Sequence, residues 1–498
     1  MSEQVSSEPA GAGMSSSSRA WVFTAALITI FMAAIEATIV ATAMPSIVGT
    51  LGGFDLFSWV FTAYLLTQAV TVPVYGRLAD LYGRKRILYF GIGIFLAGSL
   101  LCSLAGSMVW LIVFRIVQGL GAGAVVPVAM TLVGDIYNGA DRARMQVYIS
   151  SAFGSAALLG PLVGALLVEQ AGWPAIFWVN IPLGLIALMM LAISLREEVA
   201  HRPHRIDYAG SLLMMLGTGL LLFLLVKATS LAGSTIALLA GTALMLLAWF
   251  AARERLAPEP MFPLHLLRRR VIAGSNLLNL ANGMAYMGIA AFLPAYIQGV
   301  MGRSAVEAGL VLTALGGAWP LGGWVAGKVM LRSTFRHASA SGGMVAILGC
   351  AMMLGLSPER GPAYAIAAAF LTGFGMGLGN NSFIVAVQAS VDWSERGVAT
   401  SSYMFTRILG QAVGTAVFGG ILNAALAGHL AAGGNLVDRI MEPALRATLS
   451  PASLAALMGD FDRGLHAVYL INLVLALVML ACAFTLPAGV GPRPRPER

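Results

Sequence analysis

Charged residues are scarce in this chain. Asp, Glu, Lys and Arg together make up 10% of its 498 residues, where a soluble protein carries about a quarter. That deficit excludes a water-soluble domain of this length. Cysteine is scarcer still. Cys102, Cys350 and Cys482 stand apart inside apolar stretches, without the paired spacing of a metal or redox site, and read as small buried hydrophobes. The sequence pattern also holds no nucleotide-binding loop, metal-ligand cluster or nucleophile triad. GLGAGA at 119–124 lacks the Lys-Ser/Thr that completes a phosphate loop and lies inside an apolar block, where helix packing accounts for it. Neither an enzyme nor a cofactor or metal is therefore expected. The first 19 residues, rich in Ser, Gly and Ala, lack the cationic start of a secretory leader. The apolar block behind them is too long for one, so a disordered tail followed by an uncleaved helix is expected.

What takes the place of charge is hydrophobic sequence, 58% of the chain, in blocks long enough to cross a bilayer with roughly 20 helical residues. The blocks fall at 20–44, 56–76, 87–107, 109–132, 146–168, 174–195, 209–227, 231–251, 271–297, 305–327, 338–356, 362–388, 401–428 and 466–487. These fourteen spans predict an all-α polytopic membrane protein with both termini cytoplasmic. Basic residues support the count. On that topology 22 of the 30 Lys and Arg residues fall inside, six outside (Lys227, Arg303, Arg360, Arg439, Arg446, Arg463), and Arg115 and Arg407 lie within spans. Adding or removing one span would reverse every later loop and spoil the bias. The net charge of +8 thus orients the protein in the lipid bilayer, and no nucleic-acid partner is expected.

The polar stretches REEVAHRPHRID (196–207) and RERLAPEPMFPLHLLRRR (253–270) divide the spans into six, two and six. The expected organisation is a tail at 1–19, a first bundle at 20–200, a linker with two extra helices at 201–270, a second bundle at 271–487 and a tail at 488–498. Within the long outward loop 429–465, Ser450-Pro451 has the form of a helix start, serine capping and proline at the first helical position. A short helix or an extension of the last span is expected there.

One carboxylate sits where hydrocarbon should be. In FMAAIEATIVATAMPSI (31–47), Glu36 is the sole charge between Arg19 and Asp55, at a cost of about 2.5–3.5 kcal/mol on insertion scales. Counted from Met44 it lies about 12 Å deep, and Arg115, counted from Val109, about 9 Å deep, so the two can be level. Burial disfavours the glutamate's charge and a neighbouring arginine favours it, a balance suited to a group that exchanges protons. A static pair holding helices together remains the other reading. Arg407 lies about 9 Å inside the thirteenth span, within snorkelling reach of the cytoplasmic face, where a structural or gating role is expected. The ninth span carries Asn276, Asn279, Asn282 and Tyr286 on one face, and the twelfth carries Asn381 and Gln388. Such stripes line a cavity or bond neighbouring helices. Asn282, Tyr286 and Asn381 are the candidate ligand contacts, with Tyr64, Gln68 and Asn180 as further cavity surface. Gly373 and Gly377 form a small-xxx-small contact for packing or a hinge.

GRLADLYGRKR (76–86) occupies the short loop after the second span, where Gly76 and Gly83 permit close approach and a tight turn, Asp80 can cap a helix, and Arg84, Lys85 and Arg86 hold the loop inside. This segment resembles the loop signature of the major facilitator superfamily, with Leu81 where a basic residue is frequent. RIVQGLGAG (115–123) is similar to that family's fourth-helix motif, and SSAFGSAALLGPLVGALL (150–167) to its fifth-helix antiporter motif, with Gly154, Gly160, Pro161 and Gly164 in place and Ala165 where a second glycine is usual. FMAAIEATIVATAMPSI resembles the first-helix motif of the fourteen-span drug:proton antiporters, which carry aspartate where this chain has Glu36.

The resemblance implies the major facilitator fold, two six-helix bundles related by a pseudo-twofold axis with two linker helices between them. It implies a cytoplasmic latch of Asp80, Arg84 and Asp135 near the start of the thirteenth span. In the matching loop of the second half, GWVAGKVMLRS (323–333), Gly327 stands in place of Asp80, which makes that latch one-sided. It further implies a monomeric, proton-coupled exporter of small amphipathic or cationic compounds in the cytoplasmic membrane of a bacterium, with protons as the coupling ion. The alternatives are an exporter of a lipid or one specific metabolite, or a receptor or scaffold that has lost transport.

Overall fold

A backbone surrounded by hydrocarbon must satisfy its own hydrogen bonds, and helix does so within a single segment. The computed structural model describes residues 15–137, 139–195, 208–227, 231–256, 266–391, 396–431, 451–486 and 488, and among them regular structure is helical throughout. Fourteen helices of fifteen or more residues are described. The first six are α1 (Ser16–Leu51), α2 (Phe57–Tyr82), α3 (Arg84–Ser103), α4 (Met108–Ile136), α5 (Gly139–Ala171) and α6 (Asn180–Ser194). Then come α7 (Tyr208–Lys227) and α8 (Gly233–Leu256). The last six are α9 (Arg270–Ala295), α10 (Ala305–Arg332), α11 (Phe335–Met353), α12 (Gly361–Ala389), α13 (Arg396–Ala425) and α14 (Pro451–Ala483).

Eleven of the described helices are long and apolar enough to cross a membrane. α11 falls short because it opens on FRHASAS, and α7 adds the apolar stretch Leu212–Leu225 among its described side chains. Helix ends also run past the apolar blocks. α1 starts at Ser16, inside the stretch expected to be a tail, because Ser15 accepts a hydrogen bond from the Ser18 amide at 3.1 Å. It continues through Pro45 to Leu51, proline removing one donor that a packed helix can spare. α14 starts with Pro451 and is one continuous helix with the last span. The expected linker 196–207, residues 257–265 of the linker 253–270 and residues 432–450 of the loop 429–465 lie outside the described residues.

Close helix packing rests on glycine and defines a repeat. In the first bundle Gly121 of α4 packs on the backbone of Gly91 and Phe95 in α3, Gly98 lies against Gln118, and Gly119 and Gly123 bring α4 against α2 at Tyr64 and Gln68. The second bundle reproduces these contacts. Gly375 of α12 packs on Gly342 and Ala346 in α11, Gly349 lies against Thr372, and Gly373 and Gly377 bring α12 against α10 at Leu315 and Trp319. Packing of small residues lets backbones approach where no hydrophobic force drives association. GLGAGA and the Gly373–Gly377 pair are thus both packing surfaces.

The bundles meet along two seams, α5 with α10 and α2 with α13, and α1 also touches α9. The pair α7 and α8 stands beside the second seam. α7 packs on α2 and α13, with Met214 against Ala69, Val70 and Phe405, and α8 packs mainly on α7. Hydrogen bonds between the bundles cluster toward the end where α1 finishes and α2 begins. They join Thr62 to Thr415 (2.8 Å), Asn423 to the Asp55 carbonyl (2.8 Å), Thr313 to the Leu158 carbonyl (3.1 Å) and Gln298 to the Thr42 carbonyl (3.5 Å).

Candidate functional site

A polar centre lies inside the first bundle, sealed by α1, α2, α3, α4 and α6. Glu36 on α1 is 0% exposed and Arg115 on α4 is 1% exposed, and the Arg115 Nη1 donates directly to the Glu36 Oε1. The depth match inferred from sequence is a physical contact. Asn180, at the start of α6, donates from Nδ2 to the second carboxylate oxygen at 2.6 Å and to Ser99 Oγ at 3.2 Å. Both oxygens of Glu36 are therefore occupied. Arg115 also donates to the Gln118 Oε1 at 2.6 Å and, through Nε, to the Val60 carbonyl at 3.2 Å. Gln118 passes the chain on to Ser99 at 2.8 Å. The guanidinium carbon stands 4.0 Å from the centre of the Tyr64 ring, a cation–π contact in a dry site. Among the described residues the buried Tyr64 hydroxyl and the Asn180 Oδ1 have no hydrogen-bond partner.

The arrangement explains how an ion pair survives here. Each charge has its counter-charge plus neutral hydrogen bonds, the condition under which attraction in a low dielectric offsets desolvation. Gln118, the Val60 carbonyl and the Tyr64 ring hold the arginine through contacts that do not involve Glu36.

Two residues expected to face a ligand belong instead to this centre. Tyr64 lies under Arg115 and Asn180 binds Glu36, because the N-terminal turn of α6 and the middle of α2 point into the bundle. Gln118 and Ser99 were not singled out from sequence. Gln118 had a legible sign, standing three residues after Arg115 and so on the same helix face. Ser99 had none.

The second bundle holds a different network. Asn276 accepts from Thr406 (3.1 Å) and Ser402 (3.4 Å), Asn279 donates to the Tyr403 carbonyl and accepts from Asn380 at 3.0 Å, and the Tyr403 hydroxyl donates to the Asn380 carbonyl at 3.1 Å. These asparagines tie α9, α12 and α13 together. Asn282 is 1% exposed with neither amide atom partnered, and lines a cavity of about 10 Å³ with Ser339 and Asn380, space for about one water. Tyr286 is half-buried edge-on to Trp319, ring centres 5.5 Å apart at 89°. Gln68 is half-buried, and Asn381 is exposed beside Gly323. Arg407 is half-buried on α13, beside Tyr286 and Tyr403.

At the other candidate positions the structure is specific. Gly83 has φ 93° and is the single residue joining α2 to α3, a turn that glycine alone makes without strain. A side chain at Gly76 would meet nothing within 4 Å. Arg84 Nε pairs with Asp135 at 2.7 Å, linking α3 to α4. The Asp80 side chain lies outside the described residues. Gly160 and Gly164 face α1 at Thr38 and at Ile39 and Thr42, while the Pro161 carbonyl lies against Gly309 of α10 and that of Ala157 against Gly316. The motif thus sits between α1 and the seam with the other bundle.

Two bundles around a seam, with a carboxylate and a guanidinium sealed inside one of them, define the class: a polytopic helical membrane transporter. The family model described as the Major Facilitator Superfamily matches residues 26–415, and the chain belongs to that superfamily. Among its relatives are Multidrug resistance protein 3 of Bacillus subtilis, 30% identical over 471 residues covering 90% of this chain and 91% of the relative. The multidrug transporter protein MdtP of the same species is 33% identical over 451 residues, covering 90% and 82%. In fold, the chain resembles a bacterial homologue of the human lysosomal transporter Spinster in an inward-facing, unoccupied conformation. The TM-score is 0.69 at 16% identity, over 95% of this chain and 98% of that one. A D-xylose–proton symporter follows at TM-score 0.60 and 13% identity, over 85% and 96%.

Proposed function

We propose that the chain is a proton-coupled antiporter of the fourteen-span branch, exporting amphipathic compounds across the cytoplasmic membrane by alternating access, with both termini inside. The Lys/Arg distribution supports the topology, and two relatives named for multidrug resistance or transport support the cargo. The observation that carries the reading is the sealed Glu36–Arg115 pair with Asn180 on the remaining carboxylate oxygen.

A proton arriving at Glu36 removes the charge that binds α1 to α4. Arg115 keeps Gln118, the Val60 carbonyl and the Tyr64 ring, so it stays on the α2–α4 side while α1 is freed. Two residues further along α1, Thr38 packs on Gly160, and the next residue of α5, Pro161, lies against Gly309 of α10. Protonation at Glu36 thereby reaches the seam on which the two bundles rock. The seam is closed at the α1/α2 end, which is the outer end on this topology.

The test is transport of a panel of amphipathic compounds in everted membrane vesicles with an imposed pH gradient. Wild type is expected to concentrate substrate when the lumen is acid. Glu36→Gln is expected to reach the membrane at normal abundance and to lose uphill transport. Undiminished uphill transport by that variant would remove Glu36 as the proton carrier.

A further inference from the structure

The two bundles repeat their glycine packing but not their charges. The equivalents of the α4 glycine contacts are present in α12, yet among the described residues the polar centre of the first bundle has no charged counterpart there. Thr372 stands at the Gly349 contact where Gln118 stands at Gly98. In the second bundle the charge deep in a span is Arg407, in the middle of α13. Among the described residues no ion pair or hydrogen bond of its side chain is found, and its buried Nε has no partner. The side chain is half-buried, so part of it reaches space not filled by protein. Its electrostatic neighbours are Tyr403, one turn back on α13, and Tyr286 on α9, and Tyr286 in turn forms an edge-on pair with Trp319 on α10. α9, α10 and α13 converge on this point from three sides.

Charge bookkeeping across the membrane interior makes this arginine conspicuous. Glu36 cannot serve it, since one oxygen is bound by Arg115 and the other by Asn180. The first bundle's pair is neutral as a unit, and the second bundle's cation is left over. A guanidinium that is unpaired in a span is costly to keep and marks a ligand or ion path. Its planar fork matches a carboxylate or similar oxyanion in two parallel hydrogen bonds, and the Tyr286–Trp319 pair beside it offers an aromatic wall for a flat apolar body.

Building on the export reading above, we propose that Arg407, Tyr286 and Trp319 form the substrate's anion-recognising subsite, and that the preferred cargo is an aromatic or apolar compound carrying one acidic group. A free cation at this subsite repels quaternary and protonated amines, so permanent cations are the disfavoured class. Arg407 thereby acquires a ligand role in place of the gating role expected from its position in sequence.

Direct binding tests this without transport. Full-length protein in lipid nanodiscs is titrated with three probes on one scaffold, pyrenebutyrate, its methyl ester and a pyrenyl trimethylammonium, read by fluorescence anisotropy. Wild type is expected to bind the carboxylate at least tenfold more tightly than either of the others. Arg407→Gln is expected to lose about tenfold or more for the carboxylate with the ester unchanged, and Arg407→Lys, which keeps the charge without the fork, to keep the order of the probes with a smaller gap. Glu36→Gln is expected to keep the preference, so a failure of proton coupling in vesicles leaves this result standing. Thermal melting of each variant separates misfolding from lost recognition. If Arg407→Gln does not fold, the probe order in wild type and in Arg407→Lys decides. Equal or tighter binding of the ammonium probe, no binding of any probe, or a carboxylate affinity unaffected by Arg407→Gln would overturn the proposal.

Discussion

Arg115 is the residue on which the first bundle's interior turns, because it bonds α2 through the Val60 carbonyl, α1 through Glu36 and its own helix through Gln118. Removing one partner of a buried pair leaves the other charged and unpaired, which costs about 3–5 kcal/mol. Arg115→Ala should therefore lower the melting point of purified protein sharply. The double variant Glu36→Gln with Arg115→Gln should recover much of that loss while remaining unable to transport uphill, and equal melting of the single and double variants would contradict the pairing. Asn180→Ala should remove a hydrogen bond to a charged group, about 1.5–3 kcal/mol, and shift the pH dependence of transport rather than substrate preference. A change in preference alone would instead return Asn180 to the cavity surface. Glu36 and Arg115 were legible in sequence because a charge amid hydrocarbon announces itself and helical rise fixes its depth. Asn180 was legible as polar but not as a partner of Glu36. Its meaning depends on which way α6 is rotated, and a helix apolar on most sides carries no periodic signal to fix that rotation.

At the scale of helices, the hydrophobic blocks gave existence and order, and the ends were set by features the blocks do not contain. Ser15 extends α1 backward, Pro45 fails to stop it, and Pro451 starts α14 well ahead of its apolar run. α11 reads weakly as a span for a reason visible in the packing. Polar and small residues are tolerated on helices that face other helices. Glycine contacts allow a paired prediction. Gly373→Val would push a side chain into the Leu315 backbone and should destabilise by about 1–3 kcal/mol. Gly241→Ala on α8, where nothing lies within 4 Å, should be neutral or stabilise by up to about 0.5–1 kcal/mol. Thermal unfolding of the two variants side by side checks both, and similar behaviour would dismiss the packing argument.

For the molecule as a whole, the contacts that hold the bundles together sit toward one end, with Thr62 and Thr415 facing each other at 2.8 Å. In a background whose native Cys102, Cys350 and Cys482 are buried, the pair Thr62→Cys with Thr415→Cys should cross-link under mild oxidation and stop transport, and reduction should restore it. Full transport by the cross-linked protein would exclude rocking about this seam. On the proposed mechanism protonation of Glu36 moves the seam, and infrared difference spectroscopy of the protein in lipid on stepping the pH tests this without any substrate. Acidification of wild type is predicted to produce a protonated carboxylic acid band from a buried group, absent in Glu36→Gln. An unchanged band in that variant, or none in wild type, would mean that Glu36 stays ionised and that the pair with Arg115 is a fixed structural bond.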